Sequence, residues 1–285
     1  MRIQALILAA ALAAAPATAL TVLTGSVKAP DGVEIRYEAG GNGEPAIVFV
    51  HGWSCDRTYW REQAAVFAKT RRMVAIDLAG HGESGLGRQR YTIEAFGADV
   101  KAVVESLGLK RVVLVGHSMG GPVTLEAARL MPERVVALVP IDTLGRVGQA
   151  TSAEEKQAFL APMRADFRAA TGKFVRDFMF TPKSDPALVD RIADDMAKAP
   201  SEVALSALES LIDYDEAKAL AAVTAPLRLI NADRWPTDLA AARKHKPDVQ
   251  LAVMPGVGHF LMLEDPAEFN RLLERALRDL IAPAR

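Results

Sequence analysis

Val112-Val113-Leu114-Val115-Gly116-His117-Ser118-Met119-Gly120-Gly121 is the stretch from which the rest of the chain is read. An unbroken apolar run, the pattern of a strand covered on both faces, leads into glycines placed two before and two after a serine. Glycines there let the chain turn sharply from strand to helix. The following Pro122-Val123-Thr124-Leu125-Glu126-Ala127-Ala128 reads as that helix. A serine at such a turn stands exposed with a helix N-terminus behind it, the setting a nucleophile needs. Gly-x-Ser-x-Gly alone arises by chance; the strand before it and the helix after it make the pattern specific.

The chain alternates strands with helices. Strand-like runs are Thr21–Val27, Val33–Tyr37, Ala46–Val50, Met73–Ile76, Arg111–Val115, Val135–Ile141, Leu227–Ile230 and Gln250–Val253. The first two flank Ala29-Pro30-Asp31-Gly32 and read as a hairpin. Helical patterns cover Trp60–Lys69, Ile93–Leu107, Gly121–Leu130, Leu239–His245 and Pro266–Ile281. The last carries Asp265 as N-cap, Pro266 in its first turn and Glu268 at capping-box spacing. One segment, Thr151 to about Ala222, is helical in period throughout. It carries Phe159, Met163, Phe167, Phe174, Phe178, Met179 and Phe180. Inserted between strands, it is expected to cover the carboxyl edge of the sheet as a lid and to give the pocket below an apolar wall.

A serine hydroxyl is a weak nucleophile without a base and an oxyanion stabiliser. His259, in Pro255-Gly256-Val257-Gly258-His259-Phe260 between the last strand and the last helix, is the candidate base among five histidines. Its glycines let a loop carry the imidazole across the sheet edge toward Ser118. Two backbone N–H groups are needed for the oxyanion. One is expected from Met119, directly after the serine, and the other from Trp53 in His51-Gly52-Trp53-Ser54, which follows the Ala46–Val50 strand.

The 285 residues are half hydrophobic with formal charge −1, enough for one substantial core and without the basic stripe of a nucleic-acid binder. Cys55 is the single cysteine, so no intrachain disulfide forms, and it reads as a packing residue. Arg2, the apolar run from Ile3 to Ala15 and the small-x-small Ala17-Thr18-Ala19 read as a bacterial-type signal peptide over residues 1–19, cleaved after Ala19. That implies a periplasmic or secreted protein with no stable membrane insertion once the leader is removed, and residues 20–285 as one domain. Oligomeric state does not follow from the sequence.

His51-Gly52-Trp53, Asp77-Leu78-Ala79-Gly80-His81-Gly82-Glu83-Ser84, Gly116-His117-Ser118-Met119-Gly120-Gly121 and Gly258-His259-Phe260, in that order, resemble the lidded serine-esterase type of α/β-hydrolase over nearly the whole mature chain. The resemblance implies an α/β-hydrolase fold: a mostly parallel eight-stranded sheet, helices on both faces and a helical cap at about residues 146–222 inserted after strand 6. It implies a Ser118 nucleophile, a His259 base, an oxyanion hole at Trp53 and Met119, and neither metal nor organic cofactor. It also places Asp77 and His81 in a turn that shapes the site.

The chain departs from the family at the acid. An aspartate commonly follows the strand read here as Leu227–Ile230, but Trp235 occupies that position in Ala232-Asp233-Arg234-Trp235-Pro236. A tryptophan cannot stabilise an imidazolium. Asp142, at the end of a rigid strand, is the favoured replacement, with Asp233 and Asp238 as alternatives. A substrate pocket is expected around His51, Gly52, Trp235 and Phe260. The expected reaction is hydrolysis of a small-molecule carboxylic ester with apolar groups through an acyl-enzyme. Lactone opening, perhydrolysis and carbon–carbon bond hydrolysis are compatible with the same residues, and so is a weakly catalytic binder of small ligands.

Overall fold

The structure, a computed structural model, describes residues 22–281. The expected signal peptide and its cleavage site lie outside the described residues. Among those described, no helix is long and apolar enough to cross a membrane.

Eight strands form one sheet: β1 (Val22–Lys28), β2 (Glu34–Gly40), β3 (Ala46–Val50), β4 (Met73–Ile76), β5 (Val112–His117), β6 (Val135–Ile141), β7 (Arg228–Ala232) and β8 (Gln250–Met254). Their order is β1-β2-β4-β3-β5-β6-β7-β8. β2 runs antiparallel to both neighbours and the remaining pairs are parallel. The hairpin turns where expected, with Lys28 opposite Glu34 and Gly32 at φ 89°, a left-handed value that glycine adopts without strain. Every residue of β3, β4 and β5 is buried, which is why these segments read as continuous apolar runs rather than alternating ones.

Helices α1 (Arg61–Phe67), α10 (Leu261–Glu264) and α11 (Pro266–Ile281) pack together on one face of the sheet. α11 turns Phe269, Leu272, Leu273, Ala276 and Leu277 inward, one stripe at helical spacing. On the other face lie α2 (Ile93–Ser106) and α3 (Gly120–Leu130). The insert after β6 comprises α4 (Ala153–Ala165), α5 (Phe167–Phe174), a π-helical turn Val175–Met179, α6 (Pro186–Met196), α7 (Ser201–Asp213) and α8 (Glu216–Ala222). A reciprocal Ser152–Glu155 capping box starts α4.

The last of these, α8, packs against α3 and α9 (Leu239–His245) in the sheet layer. The part standing over the loops is therefore α4 to α7, which ends before the expected limit of residue 222. The cap's phenylalanines divide. Phe167 packs edge-on against Trp53 at 6.0 Å and Phe180 stacks on Phe260 at 5.4 Å. Phe159, Phe174 and Phe178 instead gather on one another toward the outside, with Phe178 55% exposed, so they do not wall a pocket.

Two glycines permit the turn from β5 into α3. A Cβ on Gly116 would lie 2.1 Å from the Gly120 carbonyl oxygen, and one on Gly120 would lie 2.5 Å from that of Val50. Helix, strand and neighbouring strand meet backbone to backbone there, and no side chain fits.

Candidate active site

Ser118 sits between β5 and α3 at φ 52°, a left-handed conformation that costs a non-glycine residue on the order of 1–2 kcal/mol. Its backbone is held on both sides: the N–H donates to Ile141 at 2.9 Å and the carbonyl accepts from Gly121 at 2.8 Å. The residue stays partly exposed while both neighbours are buried.

Asp142 is the first residue beyond β6, at φ 46°. Its N–H donates to Ile230 at 3.0 Å. Its carboxylate is divided between two donors: Oδ1 accepts the Ala232 N–H at 2.8 Å and Oδ2 lies 2.6 Å from His259 Nδ1. A carboxylate only accepts, so Nδ1 carries the proton and Nε2 presents its lone pair. Both side chains are nearly covered, His259 10% and Asp142 7% exposed, which keeps water from competing for this hydrogen bond.

The other two carboxylates are engaged elsewhere. Asp233 accepts the Gly256 N–H at 2.9 Å, and Asp238 caps α9 through the Ala241 N–H at 2.9 Å. Trp235 sets its ring edge against the His259 imidazole at 6.0 Å and is itself covered by the Arg234 guanidinium.

The loop carrying His259 is fixed through its main chain. The His259 N–H donates to Met179 of the cap at 2.7 Å, and its carbonyl accepts from His117 Nε2 at 2.9 Å. Gly258 must be glycine, because a Cβ would meet the Met179 carbonyl at 2.5 Å. The His117 and His259 rings lie 4.6 Å apart. Burial, and then the nearby His259, push the His117 imidazole well below the usual histidine range, so it is neutral. This tie is invisible locally, since His117 and His259 stand 142 residues apart.

The loop after β3 closes the other side. A Cβ on Gly52 would lie 3.2 Å from that of Ser118, so this loop abuts the serine. The Trp53 indole donates to Ala204 of α7 at 2.7 Å, pinning the loop to the cap. Among the described residues, neither the Trp53 nor the Met119 backbone N–H donates to an intramolecular acceptor.

Two of the residues expected to line a pocket do not. His51 is fully buried: Nδ1 donates to the Gly52 carbonyl at 2.8 Å and Nε2 accepts the Leu78 N–H at 3.0 Å. Burial lowers its pKa to about 4, so it is a neutral clamp between the loops after β3 and β4. Phe260 is 1% exposed and packs among Phe180, Tyr59 and His117. Trp235 does face open space: a cleft of about 720 Å³ runs beside Asp142, lined also by Thr143, Glu216 and Thr237. The Cys55 thiol is buried and pushed well above its usual pKa, as fits a packing residue rather than a nucleophile. Among the described residues no three His, Cys, Asp or Glu side chains gather where they could hold a metal ion.

A mostly parallel sheet with a serine at a strand–helix turn, a histidine–aspartate pair at the same sheet edge and a helical cap above defines an α/β-hydrolase architecture. The alpha/beta hydrolase family profile matches residues 47–272, and the chain belongs to that family. It is 30% identical over 264 residues, 85% of its length, to the dihydrolipoyllysine-residue acetyltransferase component of the acetoin cleaving system of Pseudomonas putida; the chain spans 66% of that protein. It is 25% identical over 256 residues to 3-oxoadipate enol-lactonase 2 of Acinetobacter baylyi, covering 86% of this chain and 94% of that one. A thermophilic esterase from Thermogutta terrifontis shares the fold at TM-score 0.80 and 24% identity, over 90% of this chain and 99% of the other.

Proposed function

We propose that the protein hydrolyses carboxylic esters of small to medium apolar substrates, with Ser118 as nucleophile, His259 as general base and Asp142 as the carboxylate that orients it. The observation that carries this reading is the 2.6 Å hydrogen bond from His259 Nδ1 to Asp142 Oδ2, which leaves Nε2 as the proton acceptor. Ser118 Oγ attacks the ester carbonyl while His259 Nε2 takes its proton. The Trp53 and Met119 N–H groups, free of other acceptors among the described residues, receive the oxyanion. His259 then returns the proton to the leaving alcohol. Water, activated by the same histidine, cleaves the acyl-enzyme and regenerates the serine. A p-nitrophenyl ester series of increasing acyl length tests the reading: absence of turnover across the series overturns it. The 25% identity to an enol-lactonase favours lactones, cyclic esters opened by the same steps, as a second substrate class.

His117 enters this scheme through the main chain of the base. His117→Ala is expected to lower kcat about tenfold with KM little changed, the loss of roughly one buried hydrogen bond that holds the His259 loop. His117→Gln, which keeps an N–H donor, recovers part of that loss. Steady-state kinetics on one p-nitrophenyl ester decide, and an unchanged kcat for the alanine variant removes His117 from the scheme.

Export is part of the same proposal and rests on the leader sequence alone. N-terminal sequencing of protein recovered from the periplasm should begin at Leu20. A chain still carrying Met1 or Arg2 contradicts it.

A further inference from the structure

The cleft of about 720 Å³ beside Asp142 brings open space close to the histidine–aspartate pair. Two of its walls touch His259: Asp142 through the 2.6 Å hydrogen bond, and Trp235, whose ring lies near-perpendicular to the imidazole at 6.0 Å. His259 is not itself a wall of the cleft, and the side chains of the pair are only 10% and 7% exposed. Trp235, by contrast, is 45% exposed. The indole therefore has one side on the cleft and another on the imidazole.

A tryptophan left half in solvent gains only part of the burial that normally fixes such a ring, so its place depends on other contacts. Here they come from the cap. The Arg234 guanidinium stands over the indole, 5.2 Å from the ring centroid and within cation–π range. The same guanidinium donates to the Phe180 carbonyl and, at 3.4 Å, to that of Asp177. Asp177 belongs to the π-helical turn and Phe180 closes it. Carbonyls at a helix C-terminus lack partners within the helix, and π-turns recur at functional sites. Met179, between these two residues, accepts the His259 N–H at 2.7 Å. One short stretch of the cap thus grips the main chain of His259 and, through Arg234, the indole beside its ring.

The contact matters because of what lies behind it. A hydrogen bond between imidazole and carboxylate is stronger where water is excluded, and water that reaches it offers both groups another partner. The demand is greatest while His259 holds the serine proton, when the imidazolium depends on Asp142 for orientation and charge balance. Because Asp142 supplies the carboxylate from the end of β6, the loop after β7 is free to carry an indole at this point.

We propose that Trp235 is a positioning residue that seals the His259–Asp142 hydrogen bond from the cleft, and that Arg234 clasps it in place from the cap. The kinetic consequence rests on the esterase reading above; the seal itself does not.

Proton NMR reads the seal directly. The proton between His259 Nδ1 and Asp142 is expected as a downfield signal that Asp142→Asn removes and that exchanges slowly with water in the parent. Trp235→Ala is expected to speed that exchange about tenfold or more, and Arg234→Ala, which leaves the indole without its clasp, by a smaller factor. Trp235→Phe keeps an aromatic wall and should restore slow exchange. On a p-nitrophenyl ester, Trp235→Ala is expected to lower kcat about tenfold with KM within about twofold of the parent, and Trp235→Phe to recover most of the loss. A side chain this exposed adds little to the core, so thermal melts should stay close to the parent. Absence of the downfield signal in the parent means that water already reaches the pair, and overturns the proposal. Exchange that Trp235→Ala leaves unchanged overturns it as well. Faster exchange beside an unchanged kcat overturns the positioning role, and a raised KM at unchanged kcat makes Trp235 a substrate contact instead. If no ester is hydrolysed the esterase reading fails, while the exchange rates still decide whether the indole seals the pair.

Discussion

Ser118→Ala is expected to lower kcat on p-nitrophenyl esters by about 10⁴-fold or more while leaving the melting temperature within about 2 °C of the parent. The kinetic part follows from the proposed mechanism: without Oγ that mechanism has no covalent intermediate, and His259 has nothing to deprotonate except water. What rate survives comes from the oxyanion amides and binding alone, which is why the loss is large but finite. The stability part follows from the backbone. Ser118 is held at φ 52° through its main-chain hydrogen bonds to Ile141 and Gly121, and alanine has the same Cβ and bears the same strain. Ester kinetics and a thermal melt on the same preparation give both numbers. A variant that retains turnover within tenfold would show the nucleophile to be another group, and one that melts much lower would leave the kinetic loss without meaning.

The ease of reading this chain tracks how local each feature is. β3, β4 and β6, together with α9 and α11, match the bounds read from the sequence because each is a short apolar or amphipathic run closed by turn residues or a cap. The strand–helix turn at Ser118 is legible for the same reason: its glycines, strand and helix all lie within about a dozen residues. The partner of His259 was not. Nothing in a local pattern joins Asp142 to a histidine 117 residues away, and the position after β7 that usually supplies the carboxylate holds Trp235. Strand-end placement favoured Asp142, and the hydrogen bonds of Asp233 to Gly256 and of Asp238 to α9 are ordinary loop and cap contacts that the sequence did not separate from it. His51 and Phe260 misled in the opposite direction. Both flank motif residues, yet tertiary packing buries them, and burial depends on elements far along the chain. The outward cluster of Phe159, Phe174 and Phe178 is a similar case, since helical period gives a face but not what the face meets.

Asp142→Asn is expected to lower kcat by about 10³- to 10⁴-fold, whereas Asp233→Asn and Asp238→Asn stay within a few-fold of the parent. The two carboxylate oxygens of Asp142 have different donors, Ala232 N–H on Oδ1 and His259 Nδ1–H on Oδ2. An asparagine can satisfy only one of them. If its oxygen stays toward Ala232, its NH₂ faces His259 Nδ1, and the imidazole must move its proton to Nε2 to accept it. That tautomer has no lone pair left for the Ser118 proton. If the amide flips, its NH₂ opposes the Ala232 N–H, leaving that donor of β7 unpaired against another donor. The first arrangement is the cheaper, because a histidine changes tautomer more readily than a strand gives up a hydrogen bond. The damage then falls on kcat rather than on folding. Raising the pH should not restore the rate below the range where solvent hydroxide replaces the base, since the proton is misplaced rather than in excess. Parallel kcat and KM measurements on the three variants, with a thermal melt of each, check the argument. Should Asp233→Asn or Asp238→Asn carry the large loss while Asp142→Asn does not, the 2.6 Å hydrogen bond to His259 would be structural and the orienting carboxylate would lie elsewhere.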